Sequence, residues 1–186
     1  MTNTKSTLGT VYWVTGLSGA GKTTIGKLFY EKLKNIKPNV VFLDGDTLRD
    51  VLGNDFGHSP DERKKLTMRY SRLCRLLASQ GIDVICATIS MFDDCRYWNR
   101  RNIESYVEIY VRVSMDVLIG RDQKELYSRA LRGEIENVIG VDVKLDEPKC
   151  PDFIIDNEGN FDPCQLVEEL WRNICRRNLE VVNEVR

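Results

Sequence analysis

Val11-Tyr-Trp-Val-Thr15 runs directly into Gly16-Leu-Ser-Gly-Ala-Gly-Lys-Thr-Thr24, and Ile25 to Leu33 follow with helical periodicity. The order is apolar strand, glycine-rich turn, helix. Gly16, Gly21, Lys22 and Thr23 take the fixed places of the spacing G-x-x-x-x-G-K-[ST]. Glycines let the backbone turn tightly and bring N–H groups against phosphate oxygens, while the following helix points its positive end at the same anion. Lys22 brings a mobile positive charge to the β- and γ-phosphates, and the Thr23 hydroxyl is placed to ligate Mg²⁺. The expected triphosphate-binding set is Gly16, Ser18, Gly19, Ala20, Gly21, Lys22, Thr23 and Thr24. A chance Gly/Ser-rich loop is the bland alternative; the flanking strand and helix and a second acidic motif count against it.

That second motif is Leu43-Asp-Gly-Asp-Thr-Leu-Arg49, at the end of the next apolar run. Asp44 and Asp46 emerge at the carboxyl end of a strand, where open parallel sheets bind ligands. A carboxylate there can hold Mg²⁺ or take a proton from an attacking hydroxyl. Asp46 is the expected general base and Asp44 the supporting, metal-side carboxylate, the two joining Thr23 as the metal set. Arg49 follows on the first turn, suited to an anionic substrate group. A plain Asp-Gly turn is the competing reading. No Asn-Lys-x-Asp is present and no Asp-x-x-Gly directly follows the third strand, which sets a GTPase aside and leaves an ATP-using transferase.

Around these motifs, strand patterns at Val11–Thr15, Val40–Asp44, Asp83–Ile89, Tyr106–Val113 and Phe153–Asp156 alternate with helical ones. The helices are expected at Lys22–Lys34, Pro60–Ser79, Asp93–Asn102, Met115–Gly120 and Pro163–Val182. Such alternation, with β-branched and nearly continuous apolar strands, predicts a three-layer α/β domain whose parallel sheet is covered on both faces. No linker or repeat interrupts it, so residues 1–186 read as one domain. Arg121 to Pro151 is charged and glycine-bearing, a loose segment placed to act as a lid.

The chain has 186 residues, 42% apolar and 30% charged, with net charge −1. It can bury a sizeable core, has no basic field for nucleic acid and has no apolar run long enough to cross a bilayer. Met1 to Thr10 reads as a short polar leader without a signal-peptide core. The six cysteines and single histidine show no zinc spacing; Cys86 and Cys175 read as buried thiols, and a reducing cytoplasm is the expected compartment.

Together the two motifs, Gly57-His-Ser59 with Arg63, Ile89-Ser90 with Arg96 and Arg100, Arg121-Asp122 with Lys124, Leu126-Tyr127 and Arg132-Gly-Glu-Ile135 resemble the adenylylsulfate kinase family from Val11 to Asp156. The resemblance implies a P-loop nucleoside triphosphate hydrolase fold of the nucleotide-kinase type, Mg-ATP as donor, and transfer to the 3′-hydroxyl of adenosine 5′-phosphosulfate. It implies that Arg121 faces the ATP base, that Lys124 and the residues after it form the lid over about 121–151, and that Ser90 sits beside the acceptor. It also implies a homodimer. The acceptor set it implies is Asp46, Arg49, His58, Arg63, Arg69, Ile89, Ser90, Lys124 and Val138.

The departures lie on the acceptor side. His58 and Val138 stand where the family carries the two phenylalanines that clamp adenine, and such stacking is worth about 1–3 kcal/mol per base. Leu66 and Met68 replace an asparagine and an arginine while Arg69 stays; Ser90-Met91 replaces Ser-Pro; Asp93 replaces an arginine, a like-charge penalty for an anionic sulfate. The reading is an intact ATP half with a rebuilt acceptor half. A modified acceptor such as cytidine diphosphoramidate, used in capsule modification by relatives of this family, is preferred; a true adenylylsulfate kinase and a non-catalytic nucleotide-binding module are the alternatives. His58 is read as an acceptor-base contact rather than a proton carrier, with a solvent-exposed loop histidine as the third reading. Arg96 and Arg100, four apart on one helix face, read about equally as phosphate holders or a solvated basic face; Tyr97 and Trp98 read as packing, and Lys64 and Lys65 as a solvated run.

Overall fold

The computed structural model describes residues 8–52, 55–159 and 161–184, with the backbone alone for 178–184. A parallel sheet runs in the order β2-β3-β1-β4-β5, built from β1 (Val11–Thr15), β2 (Val40–Asp44), β3 (Asp83–Thr88), β4 (Tyr106–Arg112) and β5 (Phe153–Asp156). Val11 lies opposite Val84 of β3 on one side and Tyr106 of β4 on the other. Successive residues of β1 serve opposite faces. Tyr12 and Val14 join a core with α1 (Lys22–Lys34) and α7 (Pro163–Glu184), where Tyr12 meets Phe29 edge-on at 5.0 Å between ring centroids. Val11 and Trp13 join a second core with Leu48 of α2 (Gly45–Leu52) and Tyr70 and Cys74 of α3 (Pro60–Ser79). The apolar run of β1 is therefore two alternating stripes, each covered by helices, which is the expected three-layer α/β architecture.

Several boundaries shift. β3 ends at Thr88 and β4 at Arg112, one residue before the expected stops, which releases Ile89 and Val113 from the ladder. α4 (Asp93–Asn102) matches, α5 is Met115–Arg121, and α7 extends past Val182 to Glu184. The acidic turn after β2 is the start of α2: Asp44 Oδ1 accepts the Asp46 N–H at 3.0 Å, and Leu48 is buried beneath. The Arg121–Pro151 segment is also better built than expected. It holds a 3₁₀ turn at Gln123–Glu125, helix α6 (Leu126–Leu131) and a turn in which Asp142 accepts the N–H groups of Asn137 and Val138, both at 2.6 Å. Carboxylates bonding local backbone order this segment together with Tyr127, Val138 and Ile139, which join the core.

The leader expected over Met1–Thr10 is tied down where it is described. Gly9 N–H donates to the Ala78 carbonyl at 2.8 Å and Thr10 N–H to Asp83 Oδ1 at 2.7 Å; residues 1–7 lie outside the described residues. All six cysteines are free; Cys86 is buried, while Cys175 is only half-buried, contrary to expectation. Among the described residues no helix is long and apolar enough to cross a membrane.

Candidate active site

The carboxyl ends of the strands gather the candidate residues along one edge of the sheet. After β1 the glycine-rich turn bends back against β4. A Cβ on Gly16 would lie 2.5 Å from the Val111 carbonyl oxygen, and Gly21, at φ 94°, caps α1 in the left-handed region; neither place suits a side chain. The turn's carbonyls are held from behind. Lys22 Nζ donates to the Leu17 carbonyl at 2.7 Å, the Tyr127 hydroxyl to Ser18 at 2.9 Å and Asn157 Nδ2 to Ala20 at 3.0 Å. Among the described residues the N–H groups of Ser18, Gly19 and Gly21 find no acceptor, so the turn presents donors to an anion. Lys22 is buried, and burial pushes its ammonium down to about 8 against the pull of Asp46 and Asp44.

Ser18, Gly19, Gly21, Lys22, Thr23 and Thr24 line a cleft of about 1320 Å³, with Asp44, Asp46, Arg121 and Lys124 on its other walls. Gly16 and Ala20 sit behind this surface as the backbone that shapes it. Thr23 Oγ1 donates to Asp44 Oδ2 at 2.6 Å. These two hard oxygen donors beside a phosphate cradle fit Mg²⁺, which takes one or two protein oxygens along with substrate phosphates. Asp46 is solvent-facing, and Lys124 Nζ lies 3.7 Å from its Oδ2. Arg121 is steadied at the cleft wall by the carbonyls of Asn157 (2.7 Å) and Gly159 (3.4 Å). Asp122, Lys124 and Glu125 all have φ between 34° and 60°, a left-handed path strained for side-chain-bearing residues. Asp122 Oδ1 offsets part of that strain by accepting the N–H groups of Tyr127 (3.0 Å) and Ser128 (3.1 Å).

Across Asp46 a smaller pocket of about 430 Å³ opens between α2, α3 and the end of β3. Arg49 and Arg63 line it, as does Ile89, which also faces the large cleft. Both arginines are pinned by the loop between α2 and α3. Arg49 donates to the carbonyls of Phe56 (2.9 Å) and Gly57 (3.1 Å), and Arg63 Nε to that of His58 (2.9 Å). Ser59 caps α3 in a reciprocal capping box with Glu62, which fixes where Arg63 emerges. A third, mostly apolar recess adjoins, where Val138 meets Arg63, Ile89 and Tyr127. The His58 imidazole is exposed near these arginines; partial burial, then Arg49 and Arg63, press it below its ordinary range, away from carrying a charge.

Other expected residues are not brought to the pocket. Arg69 points to the outer side, donating to the Leu52 carbonyl at 2.8 Å and stacking over Phe56 at 4.3 Å. Ser90 is fully buried, its hydroxyl enclosed without a partner among the described residues and its carbonyl taken by Arg96 at 2.8 Å. Arg96 is neither a phosphate holder nor solvated. It is buried, bonding Asp93 and the Asp146 carbonyl (2.7 Å) and lying 3.5 Å from Glu108. Arg100 reaches Glu108 (3.2 Å), Asp152 (3.1 Å) and the Cys150 carbonyl (2.8 Å). A buried carboxylate, Glu108, recruits both. Asp93 is matched by Arg96 and by Lys149 at 3.4 Å and does not line the smaller pocket, so the expected like-charge penalty does not arise there. Tyr97 is exposed under Arg101 rather than packed, and Lys64 pairs with Asp94 rather than facing solvent alone.

Sequence reasoning missed Thr67, Tyr70 and Thr88 in the small pocket and Asn157 behind the turn. Thr88 and Asn157 flank the ends of β3 and β5, and the strand-end rule that found Asp44 applies to both. Thr67 and Tyr70 lie in a helical pattern where only packing was legible.

A family model described as adenylylsulphate kinase matches residues 8–156. A cytidine diphosphoramidate kinase of Campylobacter jejuni is 41% identical over 170 residues, 91% of this chain and 89% of that protein. A probable adenylyl-sulfate kinase of Archaeoglobus fulgidus is 39% identical over 150 residues, 81% of this chain and 97% of that protein. Among solved structures, the Mycobacterium tuberculosis APS kinase in complex with AMPPNP and APS superposes with a TM-score of 0.82 at 30% identity, covering 90% of this chain and 98% of that one.

Proposed function

The chain belongs to the adenylylsulphate kinase family, and from that premise we propose that it transfers the γ-phosphoryl group of ATP to the ribose 3′-hydroxyl of a cytidine diphosphoramidate. It is a phosphotransferase with a hydroxyl acceptor; the identity of that acceptor is the proposal. The observation that carries it is the acceptor wall. The two positions where the resembled family carries clamping phenylalanines hold an exposed imidazole, His58, and a buried Val138. A purine would lose both stacking faces, about 1–3 kcal/mol each, while a pyrimidine has less surface to cover.

In this reading the N–H groups of Ser18, Gly19 and Gly21 and the Lys22 ammonium hold the triphosphate, and Arg121 lies against the ATP base. Thr23 and Asp44 would hold Mg²⁺, with Asp46 beside them, and the ion would supply neutralisation of the triphosphate's charge. Asp46 accepts the proton of the attacking 3′-hydroxyl, and Lys124, 3.7 Å away, steadies the carboxylate and joins the transferring phosphoryl as the lid closes. Arg49 and Arg63 take the acceptor's phosphate groups. A place in capsule modification and a homodimeric assembly belong to the same reading.

Adenosine 5′-phosphosulfate remains the second acceptor, favoured by the Archaeoglobus relative and by retention of Arg49 and Arg63. A binding module without transfer chemistry has no observation in its favour. The test is purified protein with Mg-ATP and each acceptor in turn, with phosphorus NMR locating the new phosphate. Turnover of cytidine diphosphoramidate at least tenfold above adenosine phosphosulfate is expected; the reverse preference would falsify the proposal.

A further inference from the structure

The small pocket beside Asp46 is lined by hydroxyls as well as by arginines. Thr67, Tyr70 and Thr88 are only 3–5% exposed, yet all three face it. Among the described residues none of the three hydroxyls has a hydrogen-bond partner. Ser71, the residue after Tyr70 on α3, also lacks a partner among the described residues, but its hydroxyl oxygen is sealed away from solvent. The floor has been cleared for them: Gly45 has no Cβ, and one placed there would sit 3.2 Å from Thr88 Oγ1. Three hydroxyls on one pocket wall, none tied to the protein among the described residues, are free to bond a polar ligand group.

The chemistry selects which group. Arg49 and Arg63 can only donate hydrogen bonds, whereas hydroxyls both donate and accept. A terminal phosphate or sulfate offers the pocket acceptor oxygens alone, and two arginines suffice for it. An amidated phosphoryl group also carries N–H donors, which an all-arginine pocket leaves unpaired. We infer that Thr67, Tyr70 and Thr88 form the specificity wall for the acceptor's terminal group, accepting the N–H bonds of a phosphoramidate while Arg49 and Arg63 bind its oxygens. This rests on the cytidine diphosphoramidate reading and names the part of the pocket that separates that acceptor from its non-amidated analogue.

The test compares two acceptors that share base and ribose, cytidine diphosphoramidate and cytidine 5′-diphosphate, using the full chain with Thr67→Val, Thr88→Val and Tyr70→Phe singly and together. Each change removes a hydroxyl and keeps the shape. The ratio of kcat/KM for amidate over phosphate should fall by about tenfold in the most affected single variant, the scale of one hydrogen bond, and further in the triple variant. ATP affinity by calorimetry on the same variants reports that the fold and donor site persist. If the parent turns over the amidate and every variant keeps the parent's ratio within twofold, the hydroxyl wall is wrong and the acceptor reading stands. If the parent uses neither cytidine nucleotide, both fall.

Discussion

The donor and acceptor halves of this cleft are held in different ways. Around the phosphate turn, the carbonyls of Leu17, Ser18 and Ala20 are tied by Lys22, Tyr127 and Asn157, so the loop's shape is set by its own neighbours and by glycines no other residue can replace. Around the acceptor pocket the backbone hangs on arginines: Arg49 and Arg63 hold the loop before α3, and Arg96 holds Ser90 on one side and Asp146 on the other. A cradle for triphosphate has one task and little freedom. A pocket whose walls are side chains on helices can change its ligand without disturbing the sheet, so in the proposed reading the chemistry of this chain and its choice of acceptor reside in separable parts.

The largest expected effect tests where the two halves meet. Asp46→Asn keeps size and position but removes the proton acceptor, so kcat should fall about 10²–10⁴-fold while ATP binding by calorimetry changes little. Turnover within a few-fold of the parent would show that the halves share no general base. Next comes the arginine scaffold of the acceptor side. Arg96→Met strands part of the charge on Glu108, a buried carboxylate whose pKa is already raised by burial against the pull of Arg100 and Arg96. Removing one partner of such a pair costs about 3 kcal/mol, or roughly 6–12 °C in Tm for a chain of this size. In the surviving folded protein KM for the acceptor should rise more than KM for ATP; an equal rise in both would mean that Arg96 supports the whole cleft.

The donor half was largely legible in the sequence, and the reason is that its chemistry is written in backbone. Gly16, Gly21, Lys22 and Thr23 stand at fixed spacing because a turn and a helix end admit few alternatives. The sheet was legible too, since Val11–Thr15 and its partners are apolar on both faces. The acceptor half was legible only where it departed from a known pattern, at His58 and Val138. Of the other residues that line the pocket, Thr67 and Tyr70 were hidden, because a helix residue declares its face only once the neighbouring strand is placed, while Thr88 stood at a strand end where the rule that found Asp44 applied. Arg96 and Arg100 misled for the same reason: a basic i, i+4 pair looks solvated until Glu108, buried on β4, comes to lie beneath it.

A gain-of-function change sharpens the contrast from the other direction. His58 is exposed, so His58→Phe adds a ring face at little cost in packing, whereas Val138→Phe would overpack a buried site by about 1–3 kcal/mol. The single change should lower KM for an adenine-bearing acceptor by about tenfold, the lower end of one stacking contact, and leave KM for ATP as it was. Equal improvement for adenine and cytosine acceptors would mean that position 58 does not face the base.

The smallest effect lies in the donor half and follows from its one buried charge. Lys22 titrates at about 8 in the free protein, displaced downward chiefly by burial. Bound phosphates favour the charged form, so nucleotide raises that value. Below pH 8 the ammonium is already present and ATP binds without proton exchange. Above it the free protein must take up a proton to bind, so affinity should weaken about twofold at pH 8 and about tenfold at pH 9 relative to pH 7. Stability runs the same way in sign: the unfolded chain holds this proton up to about 10.5 and the folded one only to about 8, so Lys22 adds stability as pH rises between those values and withdraws it as pH falls. Calorimetry at pH 8 in two buffers of different ionisation enthalpy should detect uptake of about half a proton per ATP. Uptake absent in the parent as in Lys22→Met would mean that Lys22 already carries its charge in the free protein at pH 8, so that burial in the cradle does not displace it.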